Sequence, residues 1–106
     1  MNITLLGKEV EPTKVTGSIG TNFTWRVERF PFKCYLHKEP CDEKRTRIYA
    51  DLSLMGAQTP DWVGPLLSIK DLFETESAGD ELVQAMANRV TEYAKSLLKD
   101  SEWYNK

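Results

Sequence analysis

Residues 23–36 read FTWRVERFPFKCYL and residues 48–54 read IYADLSL, and in both stretches apolar side chains fall at every second position. Residues 82–98 read LVQAMANRVTEYAKSLL, where they fall at every third or fourth. A period of two sends side chains to alternate faces of a strand, whereas a period near 3.6 lines up one stripe of a helix. The change of rhythm predicts strands followed by a helix, and so an α+β fold.

The alternation in the first stretch slips once. Phe23, Trp25 and Val27 share one parity, and Phe30, Phe32, Cys34 and Leu36 share the other. One extra residue at Glu28-Arg29 accounts for the slip, which predicts a β-bulge in a bent strand over 23–36, or two short strands with a kink, with Pro31 suited to a bulged or edge position. Pairing Leu36 with Ile48 sets Cys34 opposite Ala50, Phe32 opposite Leu52 and Phe30 opposite Leu54. The other face then pairs Tyr35 with Tyr49 and Lys33 with Asp51, an aromatic and an opposite-charge pair. The charged connection from His37 to Arg47 is expected to protrude.

Working outward, Ile3 to Leu6 is a candidate first strand. Lys8 to Thr16 contains Pro12, which cannot donate to a ladder, so it is expected at an edge or in a loop. Gly17 to Asn22 has the composition of a turn, and so has Gly56 to Asp61. Trp62 to Leu67, broken by Gly64 and Pro65, reads as an irregular crossover. Ser68 to Asp71 matches a short capping box, with Ile69, Leu72 and Phe73 as the apolar face of a short helix ending near Glu76. A second capping box at Ser77 to Asp80 opens a long helix over 78–99. Its apolar stripe is Leu82, Val83, Met86, Val90, Tyr93, Ala94, Leu97 and Leu98, with Asp80 and Glu81 at its positive end and Lys95 and Lys99 at its negative end. Gln84, Asn88, Thr91, Glu92 and Lys95 fall on the expected outer face. The expected architecture is an antiparallel three- or four-stranded sheet with a bulged long hairpin, one short helix, and the long C-terminal amphipathic helix packed on a sheet face.

The 106 residues suit one domain, 1–106, with one core. No apolar run approaches the roughly 18 residues of a membrane span. The first seven residues lack the basic flank and apolar stretch of a signal peptide. Two cysteines are too few for a disulfide scaffold, so a reducing, cytoplasmic location is expected. The net charge of −2 conceals an asymmetry: residues 26–49 carry seven Lys and Arg against four Asp and Glu, and residues 50–106 carry five against ten. A basic strand region and an acidic helical region bear on partners more than on fold. The ten acids are scattered, as solubility alone requires.

Cys34, His37, Cys41 and Asp42 are metal-ligand types close in sequence. Structural zinc needs four ligands converging, and a continuing strand would send Cys34 and His37 to opposite faces, so no metal site is expected. His37 is the chain's single histidine. No nucleophile, base and orienting group are placed together, and no glycine-rich phosphate loop is present; Gly17-Ser18-Ile19-Gly20 lacks the flanking helices of an RNA-binding G-x-x-G. Neither enzymatic activity nor a cofactor is expected.

The feature that points to a function is the outer face of the hairpin over 33–49. Lys33, Tyr35, Arg45, Arg47 and Tyr49 are expected there together, with Lys38 and Lys44 on the loop. Arg and Tyr concentrate in the energetic centres of protein interfaces, so the expectation is a small non-enzymatic module that binds a protein partner. Its size and lack of catalytic motifs are in the manner of accessory or inhibitor proteins of phages and mobile elements, which occupy a host protein's surface. The alternative is a nucleic-acid-binding domain using the same face, since cations interleaved with aromatics suit phosphate contact and base stacking.

Overall fold

The computed structural model describes residues 1–55 and 66–97. In chain order these form β1 (Ile3–Leu5), β2 (Lys8–Val10), β3 (Thr13–Thr16), β4 (Thr21–Arg29), β5 (Phe32–Pro40), β6 (Arg45–Leu54), β7 (Leu67–Glu74), a 3-10 turn (Thr75–Ser77) and α1 (Asp80–Leu97). The fold is α+β. Among the described residues β3 to β7 make a five-stranded antiparallel meander in sequence order, and β1 and β2 form a separate two-stranded hairpin. The long helix, with Asp80 and Glu81 in its first turn and Lys95 in its last, is the element its periodicity predicts. Among the described residues no helix is long and apolar enough to cross a membrane.

Four expectations are corrected. The parity slip at 28–31 is a tight hairpin rather than a bulge: Arg29 pairs with Phe32, Val27 with Cys34 and Trp25 with Leu36 across Phe30-Pro31. A two-residue turn and a one-residue bulge both shift parity by an odd number, so the apolar pattern is the same for either. Phe30 belongs to no sheet face and is 78% exposed at the turn. The register of β5 on β6 differs by two residues from that expected, with Leu36 opposite Ala50, Cys34 opposite Leu52 and Phe32 opposite Leu54. A two-residue shift keeps every side chain on its face, so burial alone does not distinguish the registers. The strands instead continue to Pro40 and from Arg45, leaving only 41–44 as the loop. Finally, 67–74 is a fifth strand and not a short helix. Leu67, Ile69, Asp71 and Phe73 are half-buried while the residues between them are exposed. Asp71 breaks that apolar alternation, and it faces inward because Arg89 of α1 reaches it at 3.0 Å.

The core lies on one side of the meander. Trp25, Val27, Phe32, Cys34, Leu36, Ile48, Ala50 and Leu52 form its inner face. The β1–β2 hairpin and α1 cover it, with Ile3, Leu5, Leu6 and Val10 from the one and Val83, Met86, Ala87, Val90 and Ala94 from the other. Two helical residues expected on the outer face instead hold the hairpin. The Gln84 carboxamide accepts from Thr4 N at 3.0 Å and donates to Thr4 O at 2.9 Å, imitating a neighbouring strand. Thr91 Oγ1 accepts from Leu6 N at 3.0 Å, and Arg29 donates to Leu6 O at 3.0 Å. Leu6 and Gly7 both take positive φ, 50° and 74°, the paired values of a two-residue primed hairpin turn. The positive φ makes any side chain at position 7 strained, and a Cβ there would stand 2.6 Å from the Arg29 guanidinium, which would have to move aside. The expected turn at Gly56 to Asp61, most of the 62–67 crossover, and Leu98 and Lys99 lie outside the described residues.

Val90 is fully buried and Met86 is 2% exposed. Met86→Asp or Val90→Asp would set an unpaired carboxylate among apolar side chains, at a cost of several kcal/mol, comparable with the whole stability of a small domain. Thermal melts followed by circular dichroism should show either variant unfolded or strongly destabilised; an unchanged midpoint would mean that α1 does not pack as described.

Candidate functional site

With α1 and the β1–β2 hairpin on one side, the other side of the meander carries no described element. Odd-numbered residues of β5 and β6 face outward there, and the register sets His37 beside Tyr49, Tyr35 beside Asp51 and Glu39 beside Arg47. All five expected site residues lie on this face, but not as one cluster. Tyr35, Arg47 and Tyr49 are near its middle. Lys33 is near the β4–β5 turn and Arg45 at the opposite end of the hairpin.

The centre is occupied by a residue the sequence reading leaves in a loop. His37 is on β5, only 8% exposed, with its ring stacked on Tyr35 (5.7 Å, 12°) and tilted against Tyr49 (5.0 Å, 41°). Thr24 Oγ1 lies 2.8 Å from its Nδ1 and Glu39 Oε2 lies 3.2 Å from its Nε2. A carboxylate only accepts, so in the neutral ring Nε2 carries the hydrogen and bare Nδ1 accepts from the Thr24 hydroxyl. Glu39 also receives Arg47 at 3.6 Å, which links Thr24, His37, Glu39 and Arg47 across three strands. The Arg26 guanidinium lies 5.3 Å over the Tyr35 ring, a cation–π contact. Burial, and then the neighbouring Tyr35, push the Tyr49 phenol above its usual range. The signal for His37 was its parity, shared with Tyr35; it becomes legible once β5 is known to run to Pro40.

The cations at the two ends have different settings. Lys33 lines a shallow hollow of about 330 Å³ with Arg26, Glu28, Tyr35, Asp51 and Ser53. Arg45 is committed to Asp42, which accepts from Nε at 2.9 Å and from Nη2 at 2.7 Å. That bond, with the Lys44 N–H, holds the Asp42 carboxyl below its usual range. Across β4 to β7 the outward positions hold Arg26, Lys33, Arg45, Arg47 and Lys70 against Glu28, Glu39, Asp51 and Glu74. The face is therefore nearly neutral, where a basic surface was expected.

Cys34 sits on the inner face and His37 on the outer, so the ligand types adjacent in sequence are separated by the sheet. Among the described residues no group of three or more His, Cys, Asp or Glu is placed to hold a metal ion. Burial, and then Asp51, push the Cys34 thiol up to about 12. Both cysteines are free thiols, and Cys41 is half-buried in the β5–β6 loop, where its hydrogen bond and then Glu39 help to hold the Arg47 guanidinium above its usual value. Comparison of the chain with protein-family models, with curated protein sequences and with solved structures finds no match in any of the three.

Two results are expected for the thiols. Native protein at mildly alkaline pH should react with one equivalent of a thiol reagent, at Cys41, and with a second only on unfolding. Because the folded state raises the Cys34 pKa from 9.0 to about 12, the unfolded chain loses that proton first, so stability from this group is present below pH 9.0 and declines as pH rises toward 12. Denaturant titrations across that window should show the decline, and Cys34→Ala should remove this component of it.

Proposed function

We propose that the chain is a small non-enzymatic module that binds a protein partner through the outer face of the meander, centred on Tyr35, His37, Tyr49 and Arg47. The observation that carries this reading is a half-exposed aromatic cluster on a sheet face whose charges are already balanced. Interface centres combine Tyr and Arg anchors with low net charge, and aromatic side chains contribute large contact area at small entropic cost. Rigidity adds to this: Tyr35 and Tyr49 flank a His37 ring held from both nitrogens, so the anchors lose little freedom on binding.

A polyanion is less well suited to the same face. Arg45 and Arg47 face carboxylates, and phosphate contact would have to displace Asp42 and Glu39. The nucleic-acid reading keeps one favourable feature, the Arg26–Tyr35 pair, on which a base could stack. The non-enzymatic reading is supported by the state of the two residues closest to a nucleophile and base: Cys34 stays a thiol on the far side of the sheet, and both nitrogens of His37 are engaged. An accessory or inhibitor protein of the kind carried by phages and mobile elements, acting in the cytoplasm by occupying a host protein's surface, is the form of this function that the small size and free thiols suggest.

Arg47→Glu combined with Tyr49→Ala should abolish capture of the partner from native-host extract while leaving the far-ultraviolet spectrum nearly unchanged. Loss of a central anchor commonly costs about 2 kcal/mol or more. Glu92→Lys, on the exposed side of α1, should bind as the parent does. Binding that survives the double variant and fails with Glu92→Lys would move the working surface to the acidic helix. Gel shifts with single- and double-stranded DNA and RNA at low salt should show no retardation; retardation that falls steeply with added salt would favour the nucleic-acid reading.

A further inference from the structure

The meander has two edges, and they are built differently. β3 is four residues long, follows Pro12 and is exposed at every position, as suits an edge that resists pairing. β7 is eight residues long and in unbroken register with β6, and among the described residues no strand pairs with its other side. Thr75 N donates to Lys44 O at 2.9 Å, on the same register that pairs Glu74 with Arg45. In an antiparallel ladder the hydrogen-bonded pairs recur every second residue. The main-chain groups of 67, 69, 71 and 73 therefore turn toward β6, and those of Ser68, Lys70, Leu72 and Glu74 turn toward the open edge.

The side chains at those open positions are self-complementary. Leu72 is 55% exposed, the large apolar residue in the middle of the edge. Lys70 and Glu74 stand two residues to either side of it, and neither forms an ion pair among the described residues. An antiparallel two-fold pairing of β7 with β7 sets residue i against a residue fixed by the centre of symmetry. Centring on Lys70 opposes two lysines, and centring on Asp71 opposes two aspartates. Centring on Leu72 brings Leu72 against Leu72 and Lys70 against Glu74 twice, and it aligns the unused main-chain groups of 70, 72 and 74 with one another. The Glu74 carbonyl already accepts from Ser77 Oγ at 3.0 Å and has a second lone pair for the ladder.

We infer that the chain forms a two-fold dimer with a second copy of itself, through antiparallel pairing of β7 with β7 centred on Leu72. The meanders of the two copies then join into one continuous ten-stranded sheet with both α1 helices on one side. The two Tyr35–His37–Tyr49 clusters lie on the other side, so a partner with two-fold symmetry would meet both. The inference stands on the edge of β7 and does not require the outer face to be the binding site.

Sedimentation equilibrium of the full chain, from micromolar to submillimolar concentration, tests it. A reversible monomer–dimer equilibrium is expected, together with slowing of Leu72 amide exchange as concentration rises. Lys70→Glu alone, or Glu74→Lys alone, opposes like charges at two symmetric positions and should weaken the dimer by roughly tenfold. The double exchange Lys70→Glu/Glu74→Lys should restore it. If a single variant loses its native spectrum, Leu72→Lys, at an exposed position outside the core, gives the same reading by yielding a folded monomer. A parent chain that stays monomeric throughout, or a dimer indifferent to the single exchanges and to Leu72→Lys, overturns the inference.

Discussion

The packing of α1 and the β1–β2 hairpin on the inner face of the meander is the constraint from which the rest follows. Burying apolar area is the dominant favourable contribution to folding, and a described chain with one long helix can cover a broad sheet on one side only. The hairpin completes that cover, and it is held there through its main chain. Gln84 acts as a surrogate strand for Thr4, while Thr91 and Arg29 take the N–H and C=O of Leu6. The bonds from Gln84 and Thr91 tie residues 80 and 85 positions apart in the chain, so the first and last described elements are stabilised together.

Once one face is committed, the chemistry of the other becomes the chemistry of the protein's surface. Alternation places Tyr35, His37 and Glu39 on the same side as Arg47 and Tyr49, and antiparallel pairing brings them into contact. The hydrogen bonds from Thr24 and Glu39 hold the His37 ring, and the Arg47 ion pair holds Glu39. Their contribution to stability is small, since partly exposed ion pairs are typically worth about 0–1 kcal/mol. Their effect is on presentation: a stacked, hydrogen-bonded set of rings has fewer conformations to lose than the same side chains on a loop. The edge of β7 extends the same logic, because main-chain groups that no described strand pairs, with a leucine at their centre, are a surface already ordered for the pairing we infer.

The readings that survive and those that do not differ in how local their cause is. The long helix is legible because its stripe, its acidic first turn and its Lys95 all lie within one element. The outward placement of Lys33, Tyr35, Arg45, Arg47 and Tyr49 is legible because parity alone decides it. The hairpin at Phe30-Pro31 is not, because a turn and a bulge shift parity alike. The β5–β6 register is not, because sliding by two residues preserves both faces. The stretch from Ser68 to about Glu76 reads as a short helix because Ser68 to Asp71 matches a capping box; Asp71 instead occupies an inward strand position, and its partner Arg89 is 18 residues away on α1.

What the sequence by itself determined is the period of each segment, and through it the α+β class, the inward and outward sets of side chains, and the polarity of α1. Those are properties of single elements, set by backbone geometry and nearest-neighbour chemistry. Only the tertiary structure decided that His37 sits at the centre of the outer face, that Asp71 is satisfied by Arg89, that Gln84 serves β1, and that β7 is an edge among the described strands. Each of these depends on which element lies beside which, and that is settled by the joint burial of side chains far apart in the chain.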